Sequence, residues 1–238
     1  MRRVLAILAA GSATRAGVDK VLADLGGQPV LAWSLAAGVA AECFDDIVVV
    51  AQNTDLTRVK AVVQERAAQA QVIAGGATRT ASSWAALDAA QGADVIAIHD
   101  AARPFVPPSL FAKVVQIAAT EGSAVAGLPL ADTVRRADEA GAATEEVSRE
   151  GLWSAQTPQA FRVELLAKAR ASAGDRSFPD DAAALVAAGI RPKMILGERR
   201  NLKITTFEDL AYARELVEKG LVGFPALTVE SRSGPSDG

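Results

Sequence analysis

The sequence predicts an α/β fold built on a mostly parallel sheet. Short β-rich apolar runs alternate with longer alanine- and leucine-rich stretches of helical length. The short runs are continuously apolar rather than alternating, as expected of strands covered on both faces by crossover helices. In such folds ligands gather outside the carboxyl ends of the strands, so polar residues just after a run are the functional candidates.

The first expected strand is 3–9, "RVLAILA". It leaves through "LAAGSATRAGVDK", 8–20, a loop of small and polar residues carrying Arg15 and Lys20. A helix is expected over 29–41, a strand over 46–51, a helix over 56–69 and a strand over 71–75. "GGATRTASS", 75–83, then opens a helix over 78–91. The strand 94–100 runs into "HDAARPF", followed by a helix over 108–122 and a strand over 123–130. The segment 132–158 is polar, with "DEAG" as a turn signal between two weak strand-like runs. It reads either as a hairpin arm reaching away from the sheet or as a mobile surface insertion. A strand over 191–196 and a helix over 206–219, with Thr206 as its N-cap, complete the pattern. One domain is expected over 1–222, with the arm at about 132–152 and a polar, frayed tail over 223–238.

Composition narrows the chemistry. With 238 residues, 50% of them hydrophobic, the chain can bury a substantial core. A net charge of −3 and no long basic run argue against a nucleic-acid surface. One cysteine, Cys43, excludes intrachain disulfides and thiolate clusters. One histidine, His99, excludes multi-histidine metal sites. The apolar start is too short for a membrane span and lacks a signal-peptide layout, so a cytoplasmic protein is expected.

The opening loop fits neither common phosphate fingerprint: Gly11 and Gly17 enclose five residues, and Ala13 stands where a dinucleotide-binding turn has glycine. It reads as a solvated turn or as an anion cradle, in which small residues admit backbone N–H groups and Arg15 and Lys20 add charge. Asp100, at a strand end, is either a Mg²⁺ ligand shared with substrate phosphates or the partner of Arg103 in a loop-stabilising pair. His99 is expected to pack beneath that loop rather than act as a base. Arg79, Ser82 and Ser83 begin a helix whose N-terminus favours anions or carbonyl groups, with an exposed Arg79 on a simply capped helix as the alternative. Lys203 precedes the last helix. Four strand-end loops carrying cations, with one carboxylate, suit a nucleoside triphosphate and a second phosphorylated substrate with Mg²⁺ between them.

In order along the chain stand "AAGSATR" with a following lysine, "GGATRTASS", "HDAARPF", "PLADTV", "SREGLWSAQTPQAF", "DDAAAL" and "NLKIT". This combination resembles the 2-C-methyl-D-erythritol 4-phosphate cytidylyltransferases over about residues 2–219. The resemblance implies a Rossmann-like three-layer nucleotidyltransferase fold with a protruding β-hairpin arm. It implies transfer of CMP from CTP to methylerythritol 4-phosphate in isoprenoid precursor synthesis, with Mg²⁺ as cofactor. By the same likeness Arg15 and Lys20 would hold the triphosphate and Lys203 would lie beside the α-phosphate. Gly76, Ser82 and the backbone of Ala9, Ala10 and Gly11 would form the cytosine pocket. Asp100 would serve metal and substrate, with Arg103 beside it. Thr133 and Arg149 would reach from the arm to the methylerythritol phosphate of a partner subunit, making a homodimer.

The chain departs from the family pattern at Ala13, at Asp19-Lys20-Val21, and at Pro179-Asp180-Asp181, where the family has Thr-Asp-Glu. Asp180 keeps a carboxylate there and stands as a second metal ligand. Two rival readings are a ribitol 5-phosphate cytidylyltransferase, which would need different arm residues, and a nucleotide-binding module without turnover, in which the phosphate cations or metal carboxylate would be lost. No cyclase domain follows, so a bifunctional fusion is not expected.

Overall fold

The computed structural model describes residues 1–11 and 20–225. Eleven strands occur among them: β1 (Arg3–Ala9), β2 (Asp24–Leu25), β3 (Gln28–Pro29), β4 (Asp46–Ala51), β5 (Gln71–Ala74), β6 (Val95–Asp100), β7 (Ser123–Pro129), β8 (Val134–Ala137), β9 (Ala143–Val147), β10 (Trp153–Arg162) and β11 (Met194–Leu196). Seven build one sheet in the order β11-β7-β10-β6-β1-β4-β5. β1 pairs parallel with β4 and β6, β4 with β5, and β7 with β11. Only β10 runs against the rest, pairing antiparallel with β6 on one side and β7 on the other.

All six expected strands lie in this sheet. β10 does not appear among them, and its first six residues fall inside the polar stretch 132–158. The arm itself is the β8–β9 hairpin, paired antiparallel from Val134–Val147 inward.

The helices are α1 (Val30–Ala40), α2 (Leu56–Arg66), α3 (Arg79–Ala89), α4 (Pro108–Glu121), α5 (Val163–Ala173), α6 (Asp181–Ala187) and α7 (Phe207–Glu218). Their ends carry recognisable signals. Pro108 opens α4, where its missing N–H costs nothing, and Gly122 closes it at φ +91°. Thr78 caps α3, and Thr206 caps α7 in a reciprocal box with Asp209, as the sequence leads one to expect.

Strand alternation divides the core into two layers. Leu5, Ile7, Val49 and Ala97 face α1, α2 and α4, meeting Leu31, Leu35, Val63, Phe111 and Val114. Val4, Ala6, Val48, Val50 and Ile98 face α3, α5 and α6, meeting Leu87, Leu166 and Leu185. The result is three layers, helix–sheet–helix. A third cluster, with Leu25, Trp33, Phe105, Ile204 and Leu216, seats α7 against the β2–β3 ribbon. Phe224 joins it, its ring edge-on to Trp33 at 5.1 Å and under the Arg66 guanidinium. The expected tail therefore does not begin at 223: an aromatic side chain there has a buried surface to cover. Residues 226–238 lie outside the described residues. No described helix is long and apolar enough to cross a membrane.

Candidate active site

The carboxyl ends of β1, β4 and β5 converge on a tight neutral corner. The Gln52 side-chain amide donates to Ala10 O at 3.0 Å, and Gly75 N–H donates to Ala51 O at 2.7 Å. A Cβ on Gly75 would stand 2.8 Å from the Ala10 Cβ and 2.7 Å from Ser82 Oγ; one on Gly76 would stand 2.4 Å from the Ala81 Cβ. Both positions need glycine for close approach. The buried Ser82 hydroxyl accepts Gly76 N–H at 3.2 Å and donates to Thr78 O at 3.0 Å. Thus Ala9, Ala10, Gly11, Gly76 and Ser82 share one corner of backbone edges and a hydroxyl. Such groups can read the edge of a base but bring no net charge.

Charge collects at the end of β6. Lys203 Nζ lies 2.7 Å from Asp100 Oδ2, and Arg79 Nη2 lies 3.4 Å from Asp100 Oδ1. Arg79 is also 2.9 Å from Asp181 Oδ2, while Ser83 donates its hydroxyl to the other oxygen of Asp181. Asp100 is 8% exposed and Asp181 is 2% exposed, so these are interior charges that need their partners. Burial alone would raise the Asp100 carboxyl. The charges of Arg79 and Lys203 outweigh it and hold the group well below the usual carboxylate range. Burial likewise opposes the Arg79 charge, and the Asp181 and Asp100 carboxylates more than restore it.

Local hydrogen bonds fix this geometry. The Asp100 N–H donates to Thr157 Oγ1 at 3.0 Å, and Thr157 Oγ1 lies 3.1 Å from His99 Nδ1. His99 Nε2 is 3.2 Å from Arg103 O. One assignment satisfies all three: Thr157 O–H donates to Nδ1, and Nε2–H donates to the Arg103 carbonyl. His99 is fully buried, and burial pushes its pKa down to about 4 against the pull of Asp100. It packs beneath the loop, as expected. Segment 201–204 is stitched to the same loop. Arg103 Nη1 donates to Asn201 O at 2.7 Å, the buried Asn201 amide donates to Thr157 O at 2.7 Å, and Ile204 N–H donates to Ala102 O at 2.8 Å. These bonds deliver Lys203 to Asp100.

Lys20 extends the cationic edge: its Nζ donates to Thr205 O, two residues beyond Lys203. Arg15, with Ala13 and Asp19, lies outside the described residues. The Arg103 backbone N–H donates to Asp100 O at 3.0 Å, but its guanidinium does not bond the Asp100 carboxylate. It bonds Asn201, and burial lowers its guanidinium pKa while Asp100 opposes the shift.

Asp180 sits at the N-cap of α6, where one oxygen accepts Ala183 N–H at 2.8 Å and the other accepts the Gln159 amide at 2.9 Å. Both oxygens are thereby engaged. Among the described residues no group of three or more His, Cys, Asp and Glu side chains could enclose a metal. The donor set is instead one carboxylate kept ionised at a strand end. That fits Mg²⁺, which is commonly held by one or two carboxylates together with substrate phosphates.

The arm stands apart. Its β8 and β9 side chains are mostly exposed, crossed by Arg136–Glu145 at 2.9 Å and Arg135–Glu146 at 3.6 Å. Thr133 is exposed at its root, and Arg149 donates to Ala131 O. Arg149 lines an open cleft of 910 Å³ with Leu130, Ala131, Glu198, Arg199 and Arg200. Among the described residues no hydrogen bond or ion pair links Thr133 or Arg149 to Asp100, Lys203 or Ser82.

Sequence reasoning missed the roles of Asp181 and Thr157. Arg79 is not the exposed cation of the capped-helix alternative but a half-buried bridge between two carboxylates. Its position just after a strand was a usable signal; its partner, far along the chain, was not.

A three-layer, mostly parallel sheet with a glycine-lined neutral corner beside lysines and one ionised carboxylate suits a nucleotide and its phosphates. The family model for 2-C-methyl-D-erythritol 4-phosphate cytidylyltransferase matches residues 4–219, and the chain belongs to that family. It is 41% identical over 232 residues to the 2-C-methyl-D-erythritol 4-phosphate cytidylyltransferase of Deinococcus radiodurans, covering 96% of this chain and 94% of that one. It is 43% identical over 222 residues to a bifunctional enzyme IspD/IspF of Anaeromyxobacter sp., covering 91% of this chain. The chain spans 57–58% of the length of the bifunctional relatives it matches. The crystal structure of the Thermus thermophilus 2-C-methyl-D-erythritol 4-phosphate cytidylyltransferase superposes with a TM-score of 0.74 at 33% identity, covering 92% of this chain and all of that one. The 4-diphosphocytidyl-2C-methyl-D-erythritol synthase of Anaerococcus prevotii superposes at 0.81 with 25% identity, covering 91% and 98%.

Proposed function

We propose that this chain transfers CMP from CTP to the phosphate of 2-C-methyl-D-erythritol 4-phosphate, releasing pyrophosphate, as a step of isoprenoid precursor synthesis. The observation that carries the reading is the Asp100–Lys203 pair, at 2.7 Å, standing next to the neutral corner of Gly75, Gly76 and Ser82. A base read at that corner would leave its triphosphate running along the cationic edge. A phosphate oxygen of the second substrate attacks the α-phosphorus of CTP. The bond from that phosphorus to the bridging oxygen breaks, and pyrophosphate leaves with its electron pair.

The nucleophile is already anionic, so no base need remove a proton. His99, buried and bonded at both ring nitrogens, is not positioned to act as one. Catalysis rests on orientation and charge. Lys203 would face the α-phosphate, and Lys20 and Arg15 would hold the outgoing phosphates. Ala9, Ala10, Gly11, Gly76 and Ser82 would recognise cytosine. Asp100 would hold Mg²⁺, which when bound offsets the charge of the phosphates; Asp180 would join it only by giving up its bond to Gln159. Arg103 borders the same site.

The arm gives the second half of the proposal. Thr133 and Arg149 would serve the methylerythritol phosphate of a partner subunit in a homodimer, because the exposed hairpin has no core of its own to justify its order. We also place the protein in the cytoplasm, where two polyanionic substrates are available without crossing a membrane.

The test is release of pyrophosphate from CTP and methylerythritol 4-phosphate with Mg²⁺, run beside ribitol 5-phosphate and beside ATP and UTP. Turnover should require CTP and prefer methylerythritol phosphate. A preference for ribitol 5-phosphate, or CTP binding without turnover, would replace this reading.

A further inference from the structure

We infer that Arg79 and Asp181 form a positioning device for the transfer reaction, holding the Asp100 carboxylate by one oxygen so that the other is turned towards Lys203. The inference rests on the proposed transferase reading and adds two residues to it. Four charged groups are linked one to the next, from buried Asp181 through Arg79 and Asp100 to Lys203. Asp181, at the first turn of α6, is anchored by the Ser83 hydroxyl. Its Oδ2 takes Arg79 Nη2 at 2.9 Å, and the same nitrogen reaches Asp100 Oδ1 at 3.4 Å. Asp100 Oδ2 then takes Lys203 Nζ at 2.7 Å.

Exposure is lowest at Asp181 and highest at Lys203. Side-chain exposure runs from 2% at Asp181 and 24% at Arg79 to 11% at Asp100 and 41% at Lys203. Asp181 is fixed in the interior, and Lys203 is the member most open to a ligand. The shorter of the two Arg79 contacts is the one to Asp181. Arg79 is therefore anchored from behind and leans towards Asp100, steering one of its oxygens without claiming both. Nη1 of Arg79 is buried with no hydrogen-bond partner among the described residues. Such an unmet donor is costly to leave in the interior. A role confined to stability would favour a geometry that satisfies both terminal nitrogens, whereas this one sacrifices a bond to keep Nη2 between two carboxylates. The guanidinium plane fixes the directions of the two Nη2 N–H bonds, whereas a lysine ammonium rotates about its stem.

The device acts through Lys203, so it should show as coupling between the two residues, which a double-mutant cycle measures. Arg79→Lys should lower kcat at least tenfold while the affinity for CTP alone, by calorimetry without metal, stays within threefold. In a Lys203→Ala background the same substitution should cost less than twofold. Asp181→Asn, which keeps an acceptor for Ser83, should give a smaller kcat loss that likewise vanishes with Lys203→Ala. Should Arg79→Lys melt far below the parent, the pair Arg79→Met with Asp181→Asn leaves no carboxylate stranded at 181 and carries the same cycle. An equal kcat loss in both backgrounds, or wild-type kcat in a folded Arg79 variant, would overturn the inference. Absence of turnover in the unaltered protein would instead remove the transferase reading itself.

Discussion

Asp100 and Lys203 meet at 2.7 Å from opposite halves of the chain, one at the end of β6 and the other just before α7. The meeting is not left to the two charges. Ile204 N–H on the Ala102 carbonyl and Arg103 on the Asn201 carbonyl bring the segments together on either side of it. An ion pair held by backbone bonds keeps its geometry when a polyanion arrives and competes for the lysine. That is the property expected of a preorganised electrostatic site.

Lys203→Ala should therefore lower kcat by about 10²–10³ and raise KM for CTP far less, since its charge matters most when the α-phosphorus is attacked. Steady-state kinetics over a CTP titration decides it: a change confined to KM would reassign Lys203 to ground-state binding.

Gly76→Ala forces a methyl group to within 2.4 Å of the Ala81 Cβ and 3.2 Å of its backbone. The helix start must shift, and Ser82 loses its bond to the Gly76 N–H. Overpacking of this kind typically costs about 1–3 kcal/mol. The variant should unfold at lower urea and show at least a tenfold higher KM for CTP. Normal CTP affinity would show that the glycine corner is not where the base lies.

His99 sets a pH dependence of stability. Its ordinary pKa of 6.5 is depressed in the fold to about 4 by burial. Between those values the unfolded chain takes up a proton that the folded chain refuses. The contribution is present above pH 6.5 and is lost as pH falls through the window towards 4, by on the order of 3 kcal/mol. Urea midpoints at pH 7.5 and 5.0 should differ accordingly, and His99→Gln should flatten the difference. An unchanged pH slope in that variant would place the dependence on other groups.

Arg149→Ala should raise KM for methylerythritol phosphate strongly and affect CTP little, because a guanidinium suits a two-point grip on phosphate. Mixed with Lys203→Ala chains, it should recover activity, since one site of the heterodimer keeps both residues. No recovery despite demonstrated subunit exchange would confine the arm to a local role.

Much of the fold was legible because apolar runs mark buried strands, and Asp100 was legible because it follows one directly. β10 was not, for a physical reason. Its buried residues include Gln156, Thr157 and Gln159, polar side chains made tolerable by specific partners: the Glu198 carbonyl, the Asp100 N–H and Asp180. Hydropathy sees three polar residues and a proline; only the folded partners reveal a strand. The same holds for Asp181. A buried carboxylate looks like a surface one until the arginine that neutralises it is found across the structure.

The placement of β10 between β6 and β7 also sets a timetable for assembly. As the chain emerges, residues up to 100 contain everything needed for the parallel block β6-β1-β4-β5. β7 comes next, yet neither of its neighbours, β10 and β11, has been made. It must wait while the charged arm is synthesised, its backbone groups unpaired and its "AVAG" stretch destined for the interior. When β10 arrives it closes two seams at once, joining β7 to the finished block. The nascent protein's exposure to misassociation is therefore concentrated in one strand and one interval, and chaperone binding to stalled chains should peak after β7 emerges and fall once Arg162 has cleared the ribosome.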